Sequence, residues 1–222
     1  MRWNWPAKWP ERLWDSVMDC WAIIPVKPLG AGKSRLAAVL GVEQRAALNK
    51  HLFGRVLQAT LGVFKPERIT IVTADTLLLA LMRGQGLHAL QDPGGGLNAA
   101  LGLACRYAAD GGARAVVVLP SDLPRVTAED VKALVASLGP GPGCVIAPDQ
   151  QEQGTNALAL APPEADFFRF GPDSFQAHLE AAKARSLKMR ILRRPCLAQD
   201  LDTPEEYRRY AKEQLAQTEA LA

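Results

Sequence analysis

Short apolar runs of strand character alternate with longer segments of helical period along most of this sequence, and that alternation leaves few architectures open. The runs are AIIPV (22–26), ITIVT (69–73), LHALQ (87–91), AVVVLP (115–120), CVIAP (144–148), NALAL (156–160) and KMRILR (188–193). Between the first two, residues 42–62 carry Leu48, Leu52 and Val56 at helical spacing. A short helix is expected after ITIVT, and the Ala- and Leu-rich GLNAALGLACRYAAD (96–110) forms another. TAEDVKALVASLG (127–139) opens on a Thr-x-x-Asp capping signal and stops at a glycine. TPEEYRRYAKEQLAQ (203–217) opens on Thr, Pro and Glu, which suits a helix N-terminus. AVVVLP is apolar throughout, as a central strand covered on both faces must be. The expectation is an α/β fold, a three-layer sandwich with a mostly parallel central sheet. Ligands of such sheets bind beyond the carboxyl ends of the strands, so the loops that follow strands are where function is sought.

The chain has 222 residues, of which 48% are hydrophobic and 22% charged, so a packed core is expected rather than disorder. There is no internal repeat, and GPGPG (139–143) is a loop inside the domain. All five tryptophans, Trp3, Trp5, Trp9, Trp14 and Trp21, fall in the first 21 residues. Residues 1–21 therefore form a Trp-rich extension, with a short helix around 10–19, ahead of a single domain over 22–222. The rings are expected to pack on the domain surface or against a partner subunit, which makes a homodimer an expectation. A net charge of +3 is too mild for a nucleic-acid binder and suits a small anion. No stretch approaches the roughly 18 apolar residues of a membrane span, and the start lacks the apolar segment of a signal peptide. A cytoplasmic protein without membrane or nucleic-acid partners is expected. Cys20, Cys105, Cys144 and Cys196 form no CxxC pair, so they are expected as free thiols rather than zinc ligands. His51, His88 and His178 are isolated and expected to be structural or exposed.

The chemistry-bearing residues follow the strands. IIPVKPLGAGKSRL (23–36) ends in Gly32-Lys33-Ser34, like a P-loop. A P-loop needs its first glycine where this chain has Lys27, and Pro25 and Pro28 stiffen a segment that would have to curl around phosphate. What remains is a strand end followed by bare backbone and three cations, Lys27, Lys33 and Arg35. It is either a triphosphate-neutralising loop or a solvated basic one. Asp122 sits just past the best central strand, where a metal-bound phosphate would lie. Asp200 and Asp202, two apart in an extended segment, project to the same side, and with Asp122 they could hold Mg2+. Each aspartate alone is equally a cap or a turn. In QDPGGGLNAAL (91–101), Gly96 and Asn98 open a helix on bare backbone that suits a base or ribose, or a flexible loop. Thr155 of QGTNALAL offers two donors, and Gly171 and Ser174 precede a helix whose N–H groups could receive a carboxylate or phosphate. Ser174 could equally be a plain N-cap.

In order, IPVKPLGAGKSRL, GLNAAL, LPSDLP, GTNALAL, FGPDSFQAH and DLDTPEEY resemble the guanylyltransferases of coenzyme F-420 biosynthesis, over roughly residues 22–210. The resemblance implies a nucleotide-diphospho-sugar-transferase-like fold. It implies reaction of GTP with phosphoenolpyruvate, 2-phospho-L-lactate or 3-phospho-D-glycerate, with release of pyrophosphate. It implies that Thr155, Gly171 and Ser174 contact the acid and that Asp122, Asp200 and Asp202 are metal-binding carboxylates. On that basis Lys27, Lys33 and Arg35 would stabilise the leaving pyrophosphate, while Pro25, Gly96 and Asn98 would hold the guanosine. The Trp-rich start departs from the family pattern. The runner-up is a related nucleotidyltransferase acting on a molybdopterin cofactor or a sugar phosphate. A GTP-binding protein without turnover is the reading from another class.

Overall fold

The computed structural model describes residues 19–219. Seven strands, β1 (Cys20–Val26), β2 (Ile69–Thr73), β3 (His88–Gln91), β4 (Ala115–Val118), β5 (Gly143–Pro148), β6 (Thr155–Ala161) and β7 (Lys188–Ile191), make one sheet in the order β3-β2-β1-β4-β6-β5-β7. All run parallel except β6, which lies antiparallel between β4 and β5. The helices are α1 (Val42–Leu61), α2 (Thr76–Gly84), α3 (Leu97–Asp110), α4 (Ala128–Leu138), α5 (Ser174–Ala184) and α6 (Pro204–Glu219). Short 3-10 turns cover Ser34–Ala38 and Pro66–Arg68. Among the described residues no helix is long and apolar enough to cross a membrane.

The sheet is covered on both faces, and the two-residue period of its strands sorts the side chains between two cores. From β1, Cys20, Ala22, Ile24 and Val26 enter a core shared with α1, α2 and α4. Trp21 and Ile23 enter the opposite core, shared with α3 and α5. From β4 and the residue that follows it, Val117 and Leu119 face the first core, and Val116 and Val118 the second. A strand with both faces buried must be apolar at every position, which is why AVVV reads as a continuous run. Cys20, Cys105 and Cys144 are buried free thiols, each pushed up to about 12 by burial.

Two boundaries differ from expectation. β1 begins at Cys20, so Trp21 belongs to the domain: it is buried and stacks on His88 with ring centroids 4.9 Å apart. β4 ends at Val118, because Pro120 has no N–H to extend the ladder past Leu119. The expected helix around 10–19 and the packing of Trp3, Trp5, Trp9 and Trp14 lie outside the described residues.

Winding direction decides where the crevice opens. From β1 through β2 to β3 the chain moves outward with α1 and α2 on one face. It then returns through α3, which packs across β1, β2 and β4 on the other face, and lays β4 beside β1. The loops leaving β1 and β4 thus diverge, and the carboxyl ends of these two strands form a topological switch point.

Candidate active site

The loop after β1 is held from below. Asn49 of α1 donates to the carbonyls of Leu29 and Ala31, both at 3.0 Å. The Leu29 N–H donates to Asp75, the residue that caps α2 through the N–H groups of Leu77 and Leu78. The loop ends on Lys33, whose backbone sits in the left-handed region at φ 51°. This conformation is unusual for a side-chain-bearing residue and persists only where its surroundings fix it. Its carbonyl accepts from the Leu36 N–H at 2.9 Å as the 3-10 turn begins, and its side chain is held by two carboxylates. The Lys33 ammonium lies 2.9 Å from Asp122 Oδ2 and 2.7 Å from Asp202 Oδ1, with 5% of its side chain exposed. Burial works against its charge, but Asp122 and Asp202 overcome that and hold its pKa above the usual lysine value.

The carboxylates come from distant parts of the chain. Asp122 rides on the loop after β4. Asp200 and Asp202 flank Leu201, which is 1% exposed in a small core with Leu36, Leu40, Leu48, Leu52 and Tyr210. With Leu201 fixed inward, its two neighbours face the other way. The turn is locked by Glu206, which accepts from the N–H groups of Asp202 at 2.8 Å and Thr203 at 2.7 Å. Thr203 Oγ1 accepts in return from the Glu206 N–H, completing a capping box. Glu206 was not singled out in the sequence, although Thr203-x-x-Glu206 is a legible signal.

Asp122, Asp200 and Asp202 each bring one oxygen within 4.8 Å of the others. Burial, then the charges of Asp122 and Asp202, push the Asp200 carboxyl up to about 6. A set of hard oxygen ligands so crowded that one resists ionising is relieved by a divalent cation, so these residues fit Mg2+.

A cleft of about 490 Å³ opens over this point, lined by Pro25, Lys27, Lys33, Gly96, Asp122 and Asp202 among others. Its size suits a nucleotide. Gly94, Gly95 and Gly96 have φ of 80°, 83° and 87°, so the approach to α3 needs glycine, and Gly96 presents bare backbone to the cleft. Arg35 is not brought here: it is exposed on the 3-10 turn and does not line the cleft. A larger hollow of about 860 Å³, between α1 and the start of α4, is lined by Lys50, His51, Arg55 and Thr127. Asp122, Asp200 and Asp202 are not among its lining residues.

The remaining motif residues form a second cluster beside α3. Asn98 does not stand free for a nucleoside. Its amide donates to the Phe170 carbonyl at 2.9 Å and accepts from the Phe170 N–H at 2.8 Å, clamping the residue before Gly171 to the first turn of α3. Ser174 is no N-cap either: it is the first residue of α5, and its Oγ accepts from the Thr155 N–H at 2.9 Å. Gly154 precedes Thr155 because a Cβ there would stand 2.7 Å from Asp149 Oδ2, the acceptor of its own N–H. Behind Thr155 lies His178, fully buried, with Nδ1 3.0 Å from Thr155 Oγ1 and Nε2 accepting from the Arg169 N–H at 3.0 Å. Burial pushes this imidazole down to about 4. The isolated histidine of the sequence is thus wired into the motif cluster, a link that no sequence spacing announces.

The His178 shift has a pH signature. Its ordinary value is 6.5, so between 6.5 and about 4 the unfolded chain binds a proton that the folded chain refuses. Stability from neutral His178 is complete above pH 6.5 and is lost as pH falls towards 4, an effect of about 3 kcal/mol. Asp200, with its carboxyl raised, acts in the opposite sense. The difference between two proteins isolates the histidine. The Tm gap between wild type and His178→Asn is expected to narrow as pH falls from 7 to 4.5, and a constant gap would refute the buried neutral ring.

Comparison with known proteins agrees with this geometry. The family described as "Guanylyl transferase CofC like" matches residues 20–210. A phosphoenolpyruvate guanylyltransferase of Rubrobacter xylanophilus is 45% identical over 192 residues, covering 86% of this chain and 93% of its own. One of Chloroflexus aggregans, with the same name, is 44% identical over 191 residues, covering 84% and 94%. Among solved structures, a putative nucleotide-diphospho-sugar transferase from Desulfovibrio desulfuricans superposes with a TM-score of 0.64 at 22% identity, covering 79% of this chain and 80% of that one. That likeness concerns the fold, and the α/β sheet with its one antiparallel strand is of the nucleotide-diphospho-sugar-transferase-like kind. With its family match spanning nearly all of the described domain, this chain belongs to the CofC-like guanylyl transferase family.

Proposed function

We propose that this protein transfers the GMP moiety of GTP to the phosphate of a three-carbon phospho-acid, phosphoenolpyruvate first among them, releasing pyrophosphate in coenzyme F-420 biosynthesis. The observation that carries the reading is the three-carboxylate cluster with its buried lysine at the β1/β4 switch point, beneath a nucleotide-sized cleft. The names of the relatives support the choice of phosphoenolpyruvate.

The step forms a bond from a phosphate oxygen of the acid to the α-phosphorus of GTP and breaks the α–β bond, with the electron pair leaving on pyrophosphate. The nucleophile is already ionised at neutral pH, so the site needs no general base, and no histidine lines the cleft. Catalysis then rests on positioning and charge. Asp122, Asp200 and Asp202 would hold Mg2+, which when bound supplies neutralisation of the phosphates. Lys27 and Lys33 stand at the cleft to meet the phosphate charge, and the Gly96 backbone leaves room for the nucleoside. Thr155, Gly171 and Ser174 receive the acid, in the region that Asn98 ties to the first turn of α3 through the Phe170 backbone.

Incubation with GTP, Mg2+ and each of phosphoenolpyruvate, 2-phospho-L-lactate and 3-phospho-D-glycerate, read as pyrophosphate release, is the direct test. Turnover is expected with phosphoenolpyruvate at the highest kcat/KM. Absence of pyrophosphate with all three would refute the assignment.

A further inference from the structure

His178 lies on α5, and both of its ring nitrogens are committed. Nε2 accepts the main-chain N–H of Arg169 at 3.0 Å. A backbone N–H can only donate, so Nε2 carries no proton, and the proton of the neutral ring sits on Nδ1. Nδ1 is 3.0 Å from Thr155 Oγ1. A protonated Nδ1 cannot accept, so the Thr155 hydroxyl must accept from the ring and send its own proton elsewhere. The Ser174 carbonyl also faces the ring. If it shares the Nδ1 proton, the conclusion stands, because Thr155 still cannot donate to His178.

The ring has no freedom to reverse this arrangement. It is fully buried, stacked on Phe167 at 5.9 Å and 19°, with the edge of Phe170 at 4.8 Å and 72°. Its two hydrogen bonds also join separate elements. One reaches the first residue of β6; the other holds the backbone of Arg169, two residues before Gly171. Next to them, the Thr155 N–H is already spent on Ser174 Oγ. The hydroxyl proton is therefore the donor that Thr155 has left.

We infer that His178 is a positioning residue for the acid substrate: by fixing its proton on Nδ1 it turns the Thr155 hydroxyl into an obligatory donor for the acid's carboxylate or phosphate oxygen. This rests on the reading above that Thr155 meets the acid.

Two substitutions separate the two ends of the ring. The amide nitrogen of His178→Asn lies near the place of Nδ1 and keeps a donor to Thr155. His178→Gln reaches towards the place of Nε2, keeps an acceptor for Arg169 and leaves Thr155 without its donor. In steady-state pyrophosphate release with phosphoenolpyruvate, His178→Gln is expected to raise KM for the acid about tenfold, with KM for GTP unchanged. His178→Asn should stay within about threefold of wild type. Equal KM effects from both variants, or a parallel rise in KM for GTP, would overturn the inference. Thr155→Val tells this failure from failure of the underlying reading. An unchanged KM for the acid in Thr155→Val removes Thr155 from the acid site and the inference with it. A raised KM keeps Thr155 in place, and adding His178→Gln should then change KM little further; full additivity would count against His178. Nitrogen-15 spectra of the wild type, in which the missing signals of His178→Asn assign the ring, need no variant turnover. They should show the Nδ1–H tautomer, and an Nε2–H tautomer would overturn the inference directly.

Discussion

Asp122→Asn is expected to lower kcat/KM for GTP by at least about a thousandfold, equivalent to roughly 4 kcal/mol of transition-state stabilisation, while leaving the fold intact. The substitution keeps an oxygen that can accept from the Lys33 ammonium, now 2.9 Å from Asp122 Oδ2. It removes one of the three negative charges whose oxygens gather within 4.8 Å. The loss falls where phosphate charge must be neutralised, in a part-buried place where charge is screened less than in water. The same charge is among the causes that hold the Asp200 carboxyl up near 6, so its removal relieves crowding in the free protein. Tm in metal-free buffer should accordingly hold or rise while activity collapses. Wild-type turnover by a folded Asp122→Asn would take Asp122 out of the reaction.

The strands were legible because a sheet covered on both faces demands uninterrupted apolar runs, and the chain supplies them from AIIPV to NALAL. Strand direction was not. NALAL looks alike whichever way it runs, so nothing local said that β6 would insert antiparallel between β4 and β5. The DxD pair was legible for a similar reason: an apolar residue between two acids fixes which way the acids face, and Leu201 does that by burial. Its meeting with the opening loop was not, since Lys33 and Asp202 are 169 residues apart and only the winding of the sheet joins them. Asn98 shows the limit most sharply. Its position in a helix's first turn was visible, but the Phe170 backbone that occupies its amide is 72 residues away. Chemistry by residue type survives in a sequence, whereas assignment of each group to one partner is a product of tertiary structure.

Lys33 is the residue for which that distinction matters most, and Lys33→Met should expose it. From the sequence this lysine belongs with the cations that meet phosphate. In the free protein its buried ammonium is bound to Asp122 and Asp202, two of the carboxylates offered to Mg2+. An ammonium and a divalent cation would compete for the same oxygens, so on the proposed function Lys33 would act as an internal counter-ion that yields or shares when Mg2+ binds. Methionine keeps much of the side chain's volume and removes the charge. Three consequences follow from the one contact. kcat/KM should fall about a hundredfold, as phosphate charge loses a partner at the cleft. Mg2+ binding to the nucleotide-free protein, followed by calorimetry, should tighten, because the competitor is gone. Tm without metal should drop, since three crowded carboxylates lose their counter-charge, and added Mg2+ should restore it by binding the folded state. Weaker or unchanged Mg2+ binding in Lys33→Met would show that the lysine does not compete with the metal.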